Sequence, residues 1–438
     1  MNINSPFDNN KKLASYLLKD GLLIDPCKKK IEKKDIFIKN KVIESIKDDI
    51  SISKKDVHVI NCENLYICPG LVDMRVNLGE PGFEHKETIK SACMAAASGG
   101  VTSMISMPNT MPVIDQPAII QSIQRKAREV ALSKVFCTGC ITRGAEGKEI
   151  SELQLMNEYG AVGFTDGNRS VSNARVMRRA LSYIKSFNGL LIQHAEEPEL
   201  SKGGVMNEGE VSTRMGLTGI PSYCEPMIVE RDIWLVKDTR CRYHVSHIST
   251  KETVEIIRNA KKQKIPITCD TSPPYFSLNE LSLENYRTFS KLSPPLRTEE
   301  DRISIINGIL DGTIDAIVSD HTPQDQDAKR LPFNQAEFGG VGLETLLPMI
   351  LSLVKNYGLG LIEAISLVTR NPAEILNLDA GKISEKSEAD LIIFDLEKPW
   401  KVEPNSFHSK SKNSPFDSLL VEGRNIMTFV RGRLVYKF

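Results

Sequence analysis

The hydrophobic and polar positions of this chain divide it into three zones. In the middle, short apolar runs alternate with longer segments whose apolar residues recur at helical spacing. The runs predict eight strands, at 70–78, 101–108, 134–141, 161–165, 190–194, 242–247, 265–269 and 316–319. The segments between them, among them 86–98, 116–132, 173–187, 226–237, 251–262 and 300–310, predict amphipathic helices. Strands that read as continuous Val/Ile/Leu runs are buried on both faces, and eight of them joined by helices predict a closed parallel barrel. Local signals agree: Ser249-Thr250 can cap the helix from Lys251, and Pro69-Gly70 punctuates the start of the first strand. The stretch 201–223 is Gly-rich and polar and predicts a long functional loop.

The two ends read differently. Short strand-like runs at 21–24, 35–40 and 57–60 are matched near the C-terminus by runs at 390–395, 418–421 and 428–435. Pairing of these ends predicts a small β-sandwich beside the barrel. The expected fold class is therefore α/β: a (β/α)8 TIM-type barrel over residues 69–385, with a small β domain assembled from 1–68 and 386–438. The Lys-rich run 28–34 is read as a solvated turn or strand edge.

Composition narrows the function classes. The chain has 438 residues, 41% hydrophobic and 26% charged, as expected of a globular protein. Its 56 basic residues equal its 56 acidic ones, which argues against nucleic-acid and membrane-surface partners. Residues 1–13 are polar, with no apolar core of a signal peptide, and no run reaches membrane-spanning length. Nine scattered cysteines suit a reduced, cytoplasmic setting. Cys137-Thr-Gly-Cys140 lies in an apolar run without a second pair, so it is read as buried thiols rather than a zinc or redox site.

The predicted strands end in polar residues, on the face where barrel enzymes keep their sites. Strand four ends in Thr165-Asp166-Gly167, strand five in Gln193-His194, strand six carries His244 and His247, and strand eight ends in Ser319-Asp320-His321. His, His and Asp from three strand ends point to a metal-site ancestry. The first strand ends in Asp73-Met-Arg-Val-Asn77. Side chains at i and i+2 on a strand share a side, so two imidazoles there would reach one ion. The residues present are Arg75 and Asn77, and a guanidinium has neither a removable proton nor a lone pair to offer a metal.

The ordered motifs Pro69-Gly-Leu-Val-Asp73, Glu80-Pro-Gly-Phe-Glu-His-Lys-Glu-Thr88, Met107-Pro-Asn-Thr110, Gly204-Val-Met-Asn-Glu-Gly209, His247-Ile-Ser-Thr250, Pro294-Pro-Leu-Arg297, Asp311-Gly-Thr-Ile-Asp-Ala316, Gly342-Leu-Glu-Thr345, Asn371-Pro-Ala373 and Ser409-Lys-Ser-Lys-Asn413 run along nearly the whole chain. In this the chain resembles class I dihydroorotases of the cyclic amidohydrolase superfamily. The resemblance implies interconversion of dihydroorotate and N-carbamoyl-aspartate in pyrimidine synthesis, with zinc as cofactor. It implies zinc ligands at Asp166, His194, His247 and Asp320, with Asp320 also the catalytic base, and a substrate contact at Asn109. Other family positions are replaced. Arg75 and Asn77 stand for His-x-His, Gly79 for the arginine that grips the substrate carboxylate, Ser293 for an asparagine, Ser272-Pro-Pro-Tyr275 for Thr-Pro-His-His, and Gln324 for a histidine.

A divalent ion about 4 Å from Arg75 would be repelled by roughly 8 kcal/mol at an effective dielectric near 20, unless the arginine swings away. Arg75 is instead expected to neutralise Asp320 or Asp166, replacing the ion by a salt bridge. The leading expectation is a catalytically impaired or inactive homologue that acts as a structural partner of aspartate transcarbamoylase, as a homo- or hetero-oligomer. The alternative is an active dihydroorotase or related cyclic amidohydrolase with a reduced metal centre of His194, His247, Asp320 and water.

Overall fold

The computed structural model describes residues 14–52 and 57–438. The expectation for the first 13 residues lies outside the described part. Eight parallel strands pair side by side in chain order: Leu71–Val76, Val101–Ser106, Lys134–Gly139, Ala161–Phe164, Leu190–His194, Arg242–Ser246, Ile267–Thr271 and Ala316–Ile317. A parallel bridge between Val76 and His321 brings the last strand end back to the first, so the barrel is nearly closed. All eight expected strands are present, at slightly shifted limits. The seventh starts and ends two residues later than the apolar run suggested. The eighth is only two residues long, because the chain beyond it turns inward to the mouth.

Helices follow the strands and begin where the side chains can satisfy their free N–H groups. Thr88 and Ser91 form a capping box at Ile89–Gly99, and Thr298 and Asp301 form another at Glu299–Leu310. Thr250 accepts from the Thr253 amide and starts Lys251–Lys262, as the sequence suggested. The region 201–223, read as a long functional loop, carries some regular structure of its own. It contains a helix, Glu210–Met215, and a two-stranded parallel sheet of Met206–Asn207 and Gly219–Ile220. Val211 and Met206 pack with Leu283 and Phe333, so a small apolar cluster fixes what looked like loop composition.

Strands from both chain ends share one eight-stranded sheet. Its order runs Arg433–Lys437, Leu420–Val430, Leu391–Lys401, Tyr66–Pro69, Ser15–Asp25, Lys30–Lys39 and Val42–Lys47, with Val57–Asn61 parallel to Ser15–Asp25. The pairing of the two ends was expected. The hydrogen bonds, however, make one continuous sheet, where two facing sheets had been expected. Leu18, Ile36, Ile67, Ile393 and Phe429 form its core. Lys28 to Lys33 are exposed, and Cys137 and Cys140 are buried free thiols. No helix among the described residues is long and apolar enough to cross a membrane.

Candidate active site at the barrel mouth

The site is built from chain that has just left its strands. His247 follows Arg242–Ser246, and Asp320 lies three residues beyond Ala316–Ile317. Both adopt left-handed backbone, with φ of 41° and 50°. For non-glycine residues such conformations cost about 1–3 kcal/mol each and persist only where the surroundings enforce them. At 247 the enforcing partner is Asp270, whose Oδ1 accepts the His247 amide at 2.6 Å. Asp270 is held in turn by His244, Nε2 to Oδ2 at 2.8 Å. His244 thus positions the turn and does not face the mouth cluster.

The two inward turns bring three expected residues into one line. His247 Nδ1 lies 3.0 Å from Asp320 Oδ2, and His247 Nε2 lies 2.8 Å from His194 Nδ1. Arg75, 1% exposed, enters this line from the first strand. Its Nε donates to Asp320 Oδ1 at 2.9 Å, its Nη2 to Asn168 Oδ1 at 2.5 Å, and its Nη1 to Ser246 Oγ at 3.4 Å, with Met107 Sδ at 3.5 Å. The expected salt bridge is therefore made with Asp320 and not with Asp166. Burial alone would push the Asp320 carboxyl up. The charges and hydrogen bonds of His247 and Arg75 outweigh it and hold the group well below the usual carboxylate range. Burial, with His247 and Arg75 alongside, drives the His194 ring well below the usual imidazole value, which keeps it neutral.

The other expected residues do not join this line. Asp166 accepts the Thr142 amide at 2.9 Å through Oδ1, and the Thr142 hydroxyl through Oδ2; burial pushes it up to about 6. Asn77 does not reach this line: its Nδ2 donates to Thr322 Oγ1 at 2.9 Å and to the His321 carbonyl oxygen at 3.3 Å. Asn109 packs its carboxamide against the Gly167 backbone, next to Asp166. Gly79 has φ of +68°, and a Cβ there would fall 2.6 Å from the Glu87 carbonyl oxygen. A side chain at that position would strain this turn as it is folded.

The donors do not fit a metal ion as they are arranged. Both Asp320 oxygens are engaged, one by Arg75 and one by His247, and both His247 nitrogens are engaged by protein. Among the described residues no group of three or more His, Cys, Asp or Glu side chains is disposed to hold an ion. The reduced centre of His194, His247 and Asp320 would need Arg75 to leave. The cavity beside Asp320, lined by Asn168, Pro274, Leu292, Thr322, Gly340 and Phe416, has a volume of about 20 Å³. That is space for about one water molecule.

Several residues of the site were missed in the sequence. Asn168 and Ser246 are ordinary polar residues whose role appears only when Arg75 reaches them. Glu225 is buried on the helix Cys224–Thr239 and accepts from the Ser249 and Thr250 amides at 3.0 and 3.2 Å. Arg297 donates to Ser249 Oγ at 3.2 Å and to Asn207 Oδ1 at 2.9 Å, tying the 201–223 region to the chain after His247. Its place in the Pro-Pro-Leu-Arg motif was the available signal.

Comparison with known proteins agrees with this architecture. The family model described as Dihydro-orotase-like matches residues 65–253. A protein named dihydroorotase from Geobacter sp. is 42% identical over 423 residues, covering 97% of this chain and 99% of its own. Another of that name from Anaplasma phagocytophilum is 43% identical over 380 residues, covering 86% of this chain and 85% of its own. Among solved structures, the L-hydantoinase (dihydropyrimidinase) from Arthrobacter aurescens superposes with a TM-score of 0.86 at 25% identity, over 97% of this chain and 96% of that one. Identity of this extent along both chains places the protein in the dihydroorotase family.

Proposed function

We propose that the protein works at the dihydroorotase reaction, the reversible hydrolysis of the ring amide of dihydroorotate to N-carbamoyl-aspartate. The observation that carries this reading is similarity along the full chain: relatives 39–43% identical, matched over 86–97% of the present sequence, bear that name. It favours the enzyme over the inactive partner that the motif substitutions alone had suggested.

In that reaction water adds to the amide carbonyl carbon and the acyl C–N bond breaks. The ureido nitrogen takes a proton and a carboxylic acid is left. The line from Asp320 through His247 to His194 is the connected path on this chain for receiving and passing the water proton. Arg75 is the cation beside this line, and a substrate carbonyl seated against it would have its developing negative charge stabilised there. A zinc ion, when bound in such a site, would polarise the carbonyl and acidify the water. The donors here are otherwise engaged, so no step is assigned to it. The cavity beside Asp320, bordered by Leu292, Gly340 and Phe416, is the side from which substrate would approach this line.

One observation favours a second reading. The Arg75–Asp320 pair, buried at the arginine and partly exposed at the carboxylate, ties up the expected base, which suits an impaired homologue serving as a structural partner of aspartate transcarbamoylase. The test is one preparation assayed for dihydroorotate hydrolysis and for the reverse cyclisation, with His247→Ala as control. Turnover lost in the control supports the enzyme. No turnover in either direction, with transcarbamoylase recovered on co-purification and less active without this chain, supports the partner.

A further inference from the structure

We propose that Arg75 is the protein's own replacement for a divalent cation at the barrel mouth, so that this chain holds no metal there. The inference rests on the family assignment and not on whether turnover occurs.

The position of the guanidinium carries the argument. Arg75 is anchored on the first strand, yet it touches Met107 after strand two, Asn168 after strand four, Ser246 at the end of strand six and Asp320 after strand eight. A group that meets residues from alternate strands around the ring lies at the centre of the mouth, where convergent ligands would hold an ion. It also does the ion's electrostatic work, because it balances the Asp320 carboxylate at 2.9 Å. The remaining donors have adjusted to its presence. The two imidazoles that would share an ion bond to each other at 2.8 Å, and Asp166 bonds to Thr142. Asn77, the other substituted position, has turned to Thr322 and leaves the centre to Arg75. A second cation placed against His247 and Asp320 would face a buried guanidinium with no proton to lose.

The substitution is coherent in geometry as well as charge. Guanidinium N–H groups donate in a fixed planar fork, and here Nε, Nη1 and Nη2 each meet an acceptor. The mouth is thus satisfied by side chains alone, and its stability does not depend on metal supply.

The test uses the whole chain equilibrated with zinc and then dialysed. Elemental analysis is expected to find far less than one ion per chain, and the melting temperature is expected to be the same with and without a chelator. The double variant Arg75→His/Asn77→His is expected to take up one zinc per chain, to melt higher with the metal than without, and to lose both properties when His247→Ala is added. One zinc per wild-type chain that disappears in His247→Ala would overturn the proposal. A folded double variant that takes up no zinc would also count against it, since the space would then not be that of an ion. Should the double variant fail to fold, the wild-type stoichiometry and chelator arms decide by themselves. Failure of the dihydroorotate assay leaves these readouts unchanged, so the two readings are separable.

Discussion

Arg75 and Asp320 are 245 positions apart in the chain and 2.9 Å apart in the structure, Nε to Oδ1. The contact closes the mouth across the same seam where Val76 and His321 close the barrel. A buried ion pair gains less than its Coulomb attraction suggests, because both charges leave water. Removal of one partner is nevertheless costly, since the other is stranded.

Arg75→Met is therefore expected to destabilise the fold by about 3–5 kcal/mol, and Asp320→Asn by a similar order. The double variant Arg75→Met/Asp320→Asn should lose clearly less than the sum, because neither charge is left alone. Urea unfolding of the four proteins measures the coupling. Simple additivity would show that the pair contributes nothing as a pair.

Gly342 belongs to a motif with no obvious chemistry, Gly342-Leu-Glu-Thr345. A Cβ there would come 2.3 Å from the Ser319 carbonyl oxygen, one residue before Asp320. Backbone is the obstacle, so the strain cannot be relieved by a rotamer change. Gly342→Ala is expected to cost roughly 1–3 kcal/mol and to weaken the Arg75–Asp320 coupling as Ser319 is displaced. An unchanged denaturation midpoint would show that the turn accommodates the methyl group.

Asp232 is fully buried, accepts from Tyr243 Oη at 2.7 Å and pairs with Arg231 at 2.6 Å. Burial pushes its carboxyl up to about 6, against the opposing pull of Arg231 and the Tyr243 hydroxyl. The folded state then binds this proton more tightly than the unfolded chain does, whose Asp titrates near 3.9. As pH falls from about 6 to about 4 the folded state takes up the proton first, and the group adds stability. Above about 6 that contribution is absent. Wild type should therefore gain stability relative to Asp232→Asn as pH is lowered through this window, by on the order of 1–3 kcal/mol. Parallel unfolding curves at pH 7.5 and 4.5 would reveal it, and a constant gap between the two proteins would refute it.

His247 joins Asp320 to His194, so its loss breaks the proposed proton path at its centre. His247→Ala is expected to lower the rate of dihydroorotate hydrolysis by about 10²–10⁴-fold, the range for loss of a positioned acid–base group. Asn77→Ala, which removes the side-chain bonds to Thr322 Oγ1 and to the His321 carbonyl but none to Asp320, His247 or His194, should stay close to wild type. Equal losses in both variants would point to a folding defect and not to chemistry.

Much of the fold could be read from the chain. Apolar runs of four to nine residues, separated by amphipathic helices, specify buried parallel strands because only such strands need be apolar on both faces. The helix at Lys251 was legible from Thr250, a cap that acts within one turn. The short helix and strand pair inside 201–223 were not legible, because their order comes from contacts with distant Leu283 and Phe333. At the site, the sequence identified the unusual residue, Arg75, and the candidates His194, His247, Asp320 and Asp166. It determined their chemical nature: a cation that cannot ionise away, two imidazoles and two carboxylates. It could not choose which carboxylate the arginine would meet. That was decided by the tertiary structure, because strand eight closes beside strand one and carries Asp320 to Arg75, while Thr142 claims Asp166 first. Local sequence sets composition and periodicity, whereas the partner of a buried charge depends on which strand ends the closed barrel makes neighbours.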